Sequence, residues 1–137
     1  MRNPLVRVAI VLALVAVPGI ALAADPAAVT QLLDQYRQEG AAGFDAARAK
    51  DDWTKEHPAD DGKMRSCITC HGSDLTKPGR HAKTGKVIDP MARSVNPDRY
   101  TDAKKIEKWF KRNCKWAWGR LCTPQEKGSF LMFLKDT

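Results

Sequence analysis

The sequence predicts a single all-α domain in which about four helices and long loops enclose a small core. Apolar residues recur at helical spacing near both ends of the mature chain, whereas no segment alternates like a convincing strand. The middle of the chain is rich in Pro and Gly, which indicates loops. A chain of 137 residues has room for one domain, and small domains often depend on disulfides, metals or cofactors.

The composition narrows the function only slightly. The chain carries 23 Lys and Arg against 16 Asp and Glu, which gives a net charge of +7. This balance fits nucleic acid, an anionic membrane or an acidic protein partner equally well. The length and polarity exclude a multi-domain enzyme and a polytopic membrane protein.

The first 23 residues have the pattern of a signal peptide. Arg2 and Arg7 precede an apolar run from Val8 to Val17, and small residues follow at the expected cleavage site. The run is short for a membrane-spanning helix, so an uncleaved anchor is the weaker alternative. We expect cleavage after Ala23 or Ala24, a mature domain over 24–137, and export to a bacterial periplasm, where disulfides persist.

Four segments of the mature chain show helical periodicity. The clearest helix start is at Thr123, because Thr123-Pro124-Gln125-Glu126 forms a capping box with Pro at the first helical position. The segment between Gly72 and Arg99 is interrupted by Pro and Gly and predicts a long loop, which is more plausible around a cofactor. The first predicted helix follows Pro26 and ends at Gly40, and the second runs from Phe44 to about Glu56. The third runs from Thr101 to Arg112, and the fourth runs from Thr123 to about Lys135.

The central motif of the chain is Cys67-Ile68-Thr69-Cys70-His71. Cys-x-x-Cys-His is the attachment signature of a c-type haem, in which both thiols bond the porphyrin and the His ligates the iron. A thioredoxin-type motif is one alternative, but it would follow a strand within a βαβ unit. A zinc site is another, but only Cys114 and Cys122 remain as further thiolate ligands, at poor spacing. The motif therefore predicts one covalent haem c, with Cys67 and Cys70 as attachment points and His71 as the proximal ligand.

The residues alone leave the second axial ligand open. Met91 lies in a loop that could reach the haem, and a Met in this role is common, so it is favoured on chemistry. Met132 lies beside the apolar stripe of the last helix and is expected to pack or lie at the surface. His57 and His81 lie in polar loops, where we expect solvated side chains.

From about Ser66 to Leu134 the chain resembles the sphaeroides haem protein (SHP) family of class I c-type cytochromes. The order of an N-terminal helix, the haem motif, a long loop and a C-terminal helix is similar to the class I cytochrome c fold. The matching segments are Cys67 to Gly72, Thr84 to Lys86, Asn96 to Asp102, Ile106 to Trp109, Arg112 to Cys114, and Gly119 to Lys127.

The resemblance implies a different distal ligand. In that family the Asn before the first of two disulfide-bonded cysteines ligates the iron, and the related cytochrome c-double-prime has His there. Carried over, the distal ligand is Asn113 and the disulfide is Cys114–Cys122, while helix-terminal Asn remains the alternative role for Asn113. An amide oxygen is a hard, weak donor that suits ferric iron better than ferrous, so release on reduction is expected.

The same resemblance implies that Met91 lines the haem pocket and does not ligate the iron. Trp109 and Trp116 are assigned to that pocket as well. Trp116 and Trp118 depart from the family pattern, which bears on how open the distal side is.

Two functional classes follow from these features. The first is a periplasmic electron carrier without enzymatic activity, and the second is a sensor or small oxidase or reductase that binds O₂, NO or CO when reduced. A thiol-disulfide oxidoreductase is a distant third. The resemblance implies a dihaem c-type cytochrome and a membrane b-type cytochrome as redox partners, and no motif indicates nucleic acid binding. Two groups of lysines could contact an acidic partner, although a solvated basic surface is the simpler interpretation: Lys104, Lys105, Lys108, Lys111 and Lys115, and Lys77, Lys83 and Lys86.

Overall fold

The computed structural model describes residues 24–137, so the predicted signal peptide lies outside the described residues. Within this part of the chain, no helix has both the length and the apolar character needed to cross a membrane. The described residues form five α-helices: α1 (Ala27–Gln38), α2 (Ala46–Thr54), α3 (Ile68–His71), α4 (Ala103–Trp118) and α5 (Pro124–Lys135).

Two small antiparallel pairs of strands connect the helices, although the sequence predicted no strand. Each strand has only two residues, which is too short to produce an alternating pattern. The second pair lies inside the predicted loop between Gly72 and Arg99. The strands are β1 (His57–Pro58) paired with β2 (Met64–Arg65), and β3 (Gly79–Arg80) paired with β4 (Val87–Ile88).

The four predicted helices are present, and three have nearly the predicted bounds. The capping box at the start of α5 is complete, since the Thr123 hydroxyl accepts from the Glu126 N–H and the Glu126 carboxylate accepts from the Thr123 N–H. The end predicted for α4 at Arg112 is wrong, because the helix continues to Trp118. Ala117 and Trp118 extend its buried side, and Gly119 then ends it in the left-handed conformation.

The core consists of two clusters of buried residues, and α5 contributes to both. Met132 packs against the first cluster, as expected from its place in the helix. The second cluster packs directly on the Cys67 motif and Met91, so it positions the candidate site. The first cluster contains Ala28, Val29, Leu32, Leu33, Tyr36, Ala41, Ile106 and Leu131; the second contains Ala49, Trp53, Leu75, Ala92, Ala117, Trp118, Phe130 and Leu134.

The turn between β1 and β2 lies against the C-terminal end of α4, and Gly119 makes this approach possible. Its φ is +63°, in the left-handed region that favours glycine. A Cβ atom at Gly119 would lie 2.7 Å from the Asp60 backbone nitrogen and 3.1 Å from the Ala59 carbonyl carbon. The backbone that leads into the haem motif therefore touches the helix that carries Asn113.

We expect Gly119→Ala to lower the free energy of unfolding by about 2 kcal/mol, because it combines left-handed strain with a backbone clash. Chemical denaturation of the holoprotein measures this change. Gly43→Ala is the matched control, since a Cβ at Gly43 would meet no atom within 4 Å. An equal stability for both variants would contradict the role assigned to Gly119.

Candidate haem site

The two cysteines and the histidine of the motif lie on one helical turn. The His71 N–H donates to the Cys67 carbonyl at 3.1 Å, and the turn ends at Gly72, whose φ is +71°. Cys67 and Cys70 are not joined to each other or to any other described cysteine. The turn therefore presents two free thiols and an imidazole side by side, as attachment of a c-type haem requires.

The β3–β4 hairpin packs tightly on this turn. A Cβ atom at Gly79 would lie 2.3 Å from the Cys70 carbonyl oxygen and 2.9 Å from the His71 Cα, so only glycine allows the close approach. The Ala82 N–H also donates to the Cys70 sulfur at 3.3 Å. A cavity of about 320 Å³ lies between the turn and the hairpin, lined among others by Ile68, Pro78 and Val87.

The His71 imidazole is held by packing rather than by hydrogen bonds to its Nδ1 atom. Its Nδ1 is buried and has no partner among the described residues. The Trp53 ring lies 5.3 Å from the imidazole, centroid to centroid. Burial first, and then the positive charge of Arg99, lowers the pKa of His71 to about 4. The imidazole is therefore neutral at pH 7, which is the form that ligates a metal.

The Cys67 thiol does not have the properties of a redox nucleophile. Burial raises its pKa to about 12, whereas reactive thiols in Cys-x-x-Cys motifs have lowered pKa values. No strand–helix–strand unit surrounds the motif within residues 24–137, because β2 before it and β3 after it belong to separate two-stranded sheets. Among the same residues, no three His, Cys, Asp or Glu side chains are grouped in a way that could hold a metal ion. The donor set thus fits haem c better than a dithiol enzyme or a zinc site.

Asn113 lies inside α4 with its side chain exposed, and not at the helix end. The helix-terminal role considered from the sequence is therefore wrong, because Asn113 precedes the last helical residue by more than a turn. The next residue, Cys114, is bonded to Cys122 with a Cα–Cα distance of 5.6 Å. This link joins the C-terminal part of α4 to the segment that precedes α5.

The three residues assigned to the pocket wall lie in different surroundings. Met91 and Trp116 are half-buried and pack against the second cluster, as does Cys67. Trp109 lies outside both clusters, is 44% exposed and is covered by Arg112 at 5.1 Å. Their contact with the cofactor stays a prediction.

Three further residues discussed from the sequence have defined surroundings. The effect of Trp118 on distal access was left open by the sequence, and Trp118 is buried in the second cluster against Phe130. His57 is not a solvated loop residue, because its ring lies 4.5 Å from that of Trp118 and its Nε2 is buried. His81 caps a turn, since its Nδ1 accepts from the Lys83 and Thr84 N–H groups.

Sequence reasoning missed two residues that shape the site. Trp53 falls within the second predicted helix, and nothing in its spacing indicates contact with His71. Tyr100 has a positive φ of 63°, rare for a non-glycine residue, and its hydroxyl donates to the Met91 carbonyl at 2.9 Å. Tyr100 thereby ties the loop that carries Met91 to the start of α4.

The chain is similar to known proteins over most of its length. Residues 39–134 match a family described as a domain of unknown function, DUF1924. The chain is 40% identical over 128 residues to cytochrome c-type protein SHP of Cereibacter sphaeroides, which covers 93% of this chain and 96% of the relative. It is 38% identical over 73 residues to cytochrome c'' of Methylophilus methylotrophus, which covers 53% of this chain and 51% of the relative.

Solved structures of SHP and of cytochrome c'' also match this chain. Oxidized SHP, described as an oxygen binding cytochrome c, matches with a TM-score of 0.71 and 39% identity over 81% of this chain and 97% of the other. Oxidized cytochrome c'' from Methylophilus methylotrophus matches with a TM-score of 0.67 and 27% identity over 78% and 92%. The fold is that of a class I c-type cytochrome, and the cofactor is haem c. Within this class, the chain belongs to the SHP family, and its residues 39–134 also belong to the DUF1924 family. The resemblance, the fold class and the cofactor predicted from the sequence are confirmed.

We expect Trp53→Ala to lower the free energy of unfolding by about 3–5 kcal/mol, because it removes a buried ring packed on His71, Phe130 and Phe133. Trp53→Phe should lose less, since it keeps a ring. Denaturant titration of the holoprotein measures both. Lys50→Ala, at an exposed position of the same helix, serves as the control and should change stability by no more than about 0.5 kcal/mol. A loss from Trp53→Ala no greater than that from Lys50→Ala would disprove the packing role.

Proposed function

We propose that this chain is an exported monohaem cytochrome that carries electrons, and that its reduced form opens the distal position to O₂ or NO. One observation carries the proposal. Two unbridged thiols and a half-buried imidazole with a lowered pKa lie on a single turn of helix. This is the donor set that binds haem covalently and ligates its iron from one side.

Each residue of the turn has a separate task in this proposal. Cys67 and Cys70 form the two thioether bonds, and His71 is the proximal ligand. The haem, when bound, supplies a one-electron Fe(III)/Fe(II) couple. Burial of His71 against Trp53 keeps the imidazole neutral and in place, so the proximal ligand does not depend on the oxidation state.

Asn113 is proposed as the distal ligand of the oxidised protein. Its amide oxygen is a weak donor with a preference for ferric iron, and we infer that it is released on reduction. Its side chain is exposed and free of hydrogen bonds to other residues within 24–137. The description of a cytochrome c'' structure of Methylophilus methylotrophus in terms of haem-ligand detachment supports release in this chain as well.

The Cys114–Cys122 bond is proposed to fix the backbone of this weak ligand in the native protein. In the chain-entropy model, closing a loop of about nine residues stabilises a protein by about 2.6 kcal/mol. The bond adjoins Asn113 directly, so it restrains the helix while the amide side chain stays free to move.

An acidic redox partner is proposed to dock on one side of α4. Four lysines there are separated by four, three and four positions, so they share one face of the helix. All four are exposed, and none forms an ion pair with a residue of the described chain: Lys104, Lys108, Lys111 and Lys115. By resemblance, the partner is a dihaem c-type cytochrome or a membrane b-type cytochrome, and complementary charge would accelerate their encounter.

A second candidate function is the binding of a diatomic gas, as a sensor or as a small oxidase or reductase. The relative SHP is described as an oxygen binding cytochrome c, and this chain shares 39% identity with it over most of the fold. The carrier remains the first choice because the lysine face of α4 suits a protein partner. A reduced form that does not bind CO would remove the second function and the proposed opening of the distal position, and would leave electron transfer alone.

One mass-spectrometric experiment tests attachment, processing and the disulfide together. We expect protein from a host competent in cytochrome c maturation to have the mass of a chain cleaved after Ala23 or Ala24 plus one haem. Alkylation of the denatured, unreduced protein should add no label, because Cys67 and Cys70 are in thioethers and Cys114 and Cys122 are bonded. The apo mass would contradict attachment, and two labels on a haem-bearing chain would contradict the disulfide.

Asn113→Ala tests the distal ligand. We expect the wild-type ferric haem to be six-coordinate and low-spin, and the variant to be high-spin or water-ligated with the covalent attachment intact. Wild-type ferrous protein should be high-spin and bind CO readily. Optical and EPR spectra of both oxidation states, with and without CO, measure these properties.

Met91→Leu is the matched control, because Met91 is the competing ligand. It should leave the spectra nearly unchanged. If instead a ferric sulfur-to-iron charge-transfer band disappears in Met91→Leu, and ferrous wild-type protein does not bind CO, the ligands are His71 and Met91. Asn113 would then have no role at the iron.

A further inference from the structure

Arg65 makes three contacts that join the haem motif to the helix of the distal ligand. Its Nη1 donates to the Trp116 carbonyl at 3.0 Å, and its guanidinium carbon lies 4.7 Å from the centroid of the Trp116 indole. Its Nη2 forms an ion pair with Asp61 at 2.5 Å. The Arg65 side chain is only 15% exposed and its bond to the Trp116 carbonyl is partly buried, whereas Asp61 is exposed, so the ion pair is open to water. The Arg65 side chain thus contacts both the backbone carbonyl and the indole ring of Trp116.

The Trp116 carbonyl belongs to the last turn of α4, where carbonyls have no partner within the helix. A guanidinium that binds such a carbonyl removes an unsatisfied acceptor, and its charge strengthens the hydrogen bond. Arg65 itself precedes Cys67 by two residues, at the end of β2. Arg65 therefore connects the segment beside Cys67 with the last turn of α4 through a hydrogen bond.

Trp116 also shares a helix face with Asn113. Residues three positions apart on a helix are neighbours, so half-buried Trp116 and exposed Asn113 occupy adjoining positions on α4. Trp116 packs on the second cluster, against which Cys67 and Met91 also pack. Arg65 covers it from the side of the β1–β2 hairpin.

We propose that Arg65 is a positioning residue that holds Trp116 as a fixed wall beside Asn113 and thereby restricts the entry of small exogenous ligands. The proposal rests on the role given to Asn113 above. Without Arg65 the indole loses its cation–π contact and its backbone anchor, so it is free to change rotamer. Motion of the ring opens the approach to the distal side.

The same end of α4 provides a matched control. Arg120 lies 4.9 Å from the centroid of the Trp118 ring and pairs with Glu126 at 2.7 Å. Trp118 is directed into the second cluster, where it packs on Phe130. The Arg120 pair therefore resembles the Arg65 pair in chemistry but lies over Trp118 rather than Trp116.

The experiment measures the CO association rate of the reduced holoprotein after laser photolysis. Arg65→Met keeps part of the aliphatic stem and removes the charge, and we expect it to raise the rate about tenfold, which corresponds to about 1.4 kcal/mol. Arg65→Lys should give an intermediate rate, because an ammonium cannot stack and bind in the same planar manner. Arg120→Met should remain within about twofold of wild type, even if it lowers stability by a similar amount.

A double-variant comparison tests whether Arg65 acts through Trp116. Trp116→Ala should raise the CO rate, and addition of Arg65→Met to that variant should raise it no further. Rates that multiply would overturn the proposal. If Arg65→Met does not fold, Asp61→Asn provides the second test, since Asp61 is exposed and its loss weakens only one of the three contacts.

This inference and the proposed function fail in different ways. If Asn113→Ala opens the ferric site while Arg65→Met binds CO at the wild-type rate, the inference about Arg65 is wrong and the proposed function stands. If Asn113→Ala leaves the ferric spectrum unchanged, the proposed distal ligand is wrong, and the proposal for Arg65 falls with it.

Discussion

The packing of Phe130 holds both sides of the haem site together. This residue of α5 is 5% exposed, and its ring lies 6.1 Å from Trp53 of α2 and 5.6 Å from Trp118 of α4. Trp53 packs on His71, while α4 carries Asn113. The proximal residue and the proposed distal residue therefore depend on one buried ring. Aromatic pairs of this kind contribute about 0.5–1.5 kcal/mol each beyond the area that they bury.

Helix α4 is also held by polar contacts of Glu107 with Tyr36 and Lys127. The Tyr36 hydroxyl of α1 donates to the Glu107 carboxylate, and Lys127 of α5 pairs with the same carboxylate at 3.0 Å. Burial of Tyr36, and then its bond to Glu107, raises the pKa of the phenol well above its usual value. Tyr36 thus stays a neutral donor, and three helices meet at one carboxylate. Helix α4 is held between this group and the aromatic cluster.

The two sides of the candidate site differ in exposure in a way that suits the proposed function. His71 is half-buried against Trp53 and has a lowered pKa, which suits the neutral proximal ligand that we propose. Asn113 is exposed on a helix whose backbone is restrained by the neighbouring disulfide and by Arg65. A weak side-chain donor on a rigid backbone can leave the metal without a change in the fold. The proposed opening of the distal side then needs only rotation of an amide, with Trp116 as the adjacent wall.

Features that depend on short spacing could be predicted from the residues alone. The turn of Cys67, Cys70 and His71, the capping box at Thr123 and the Pro- and Gly-rich loop are local patterns, because each is stabilised by bonds between near neighbours. The pairing of Cys114 with Cys122 and the role of Asn113 came from family resemblance rather than from spacing. Other features become visible only once the helices are packed: α4 continues past Asn113, Trp53 covers His71, and Arg65 contacts Trp116, 51 residues away. Such contacts depend on how the helices pack, and no local periodicity records which buried ring or guanidinium meets which partner.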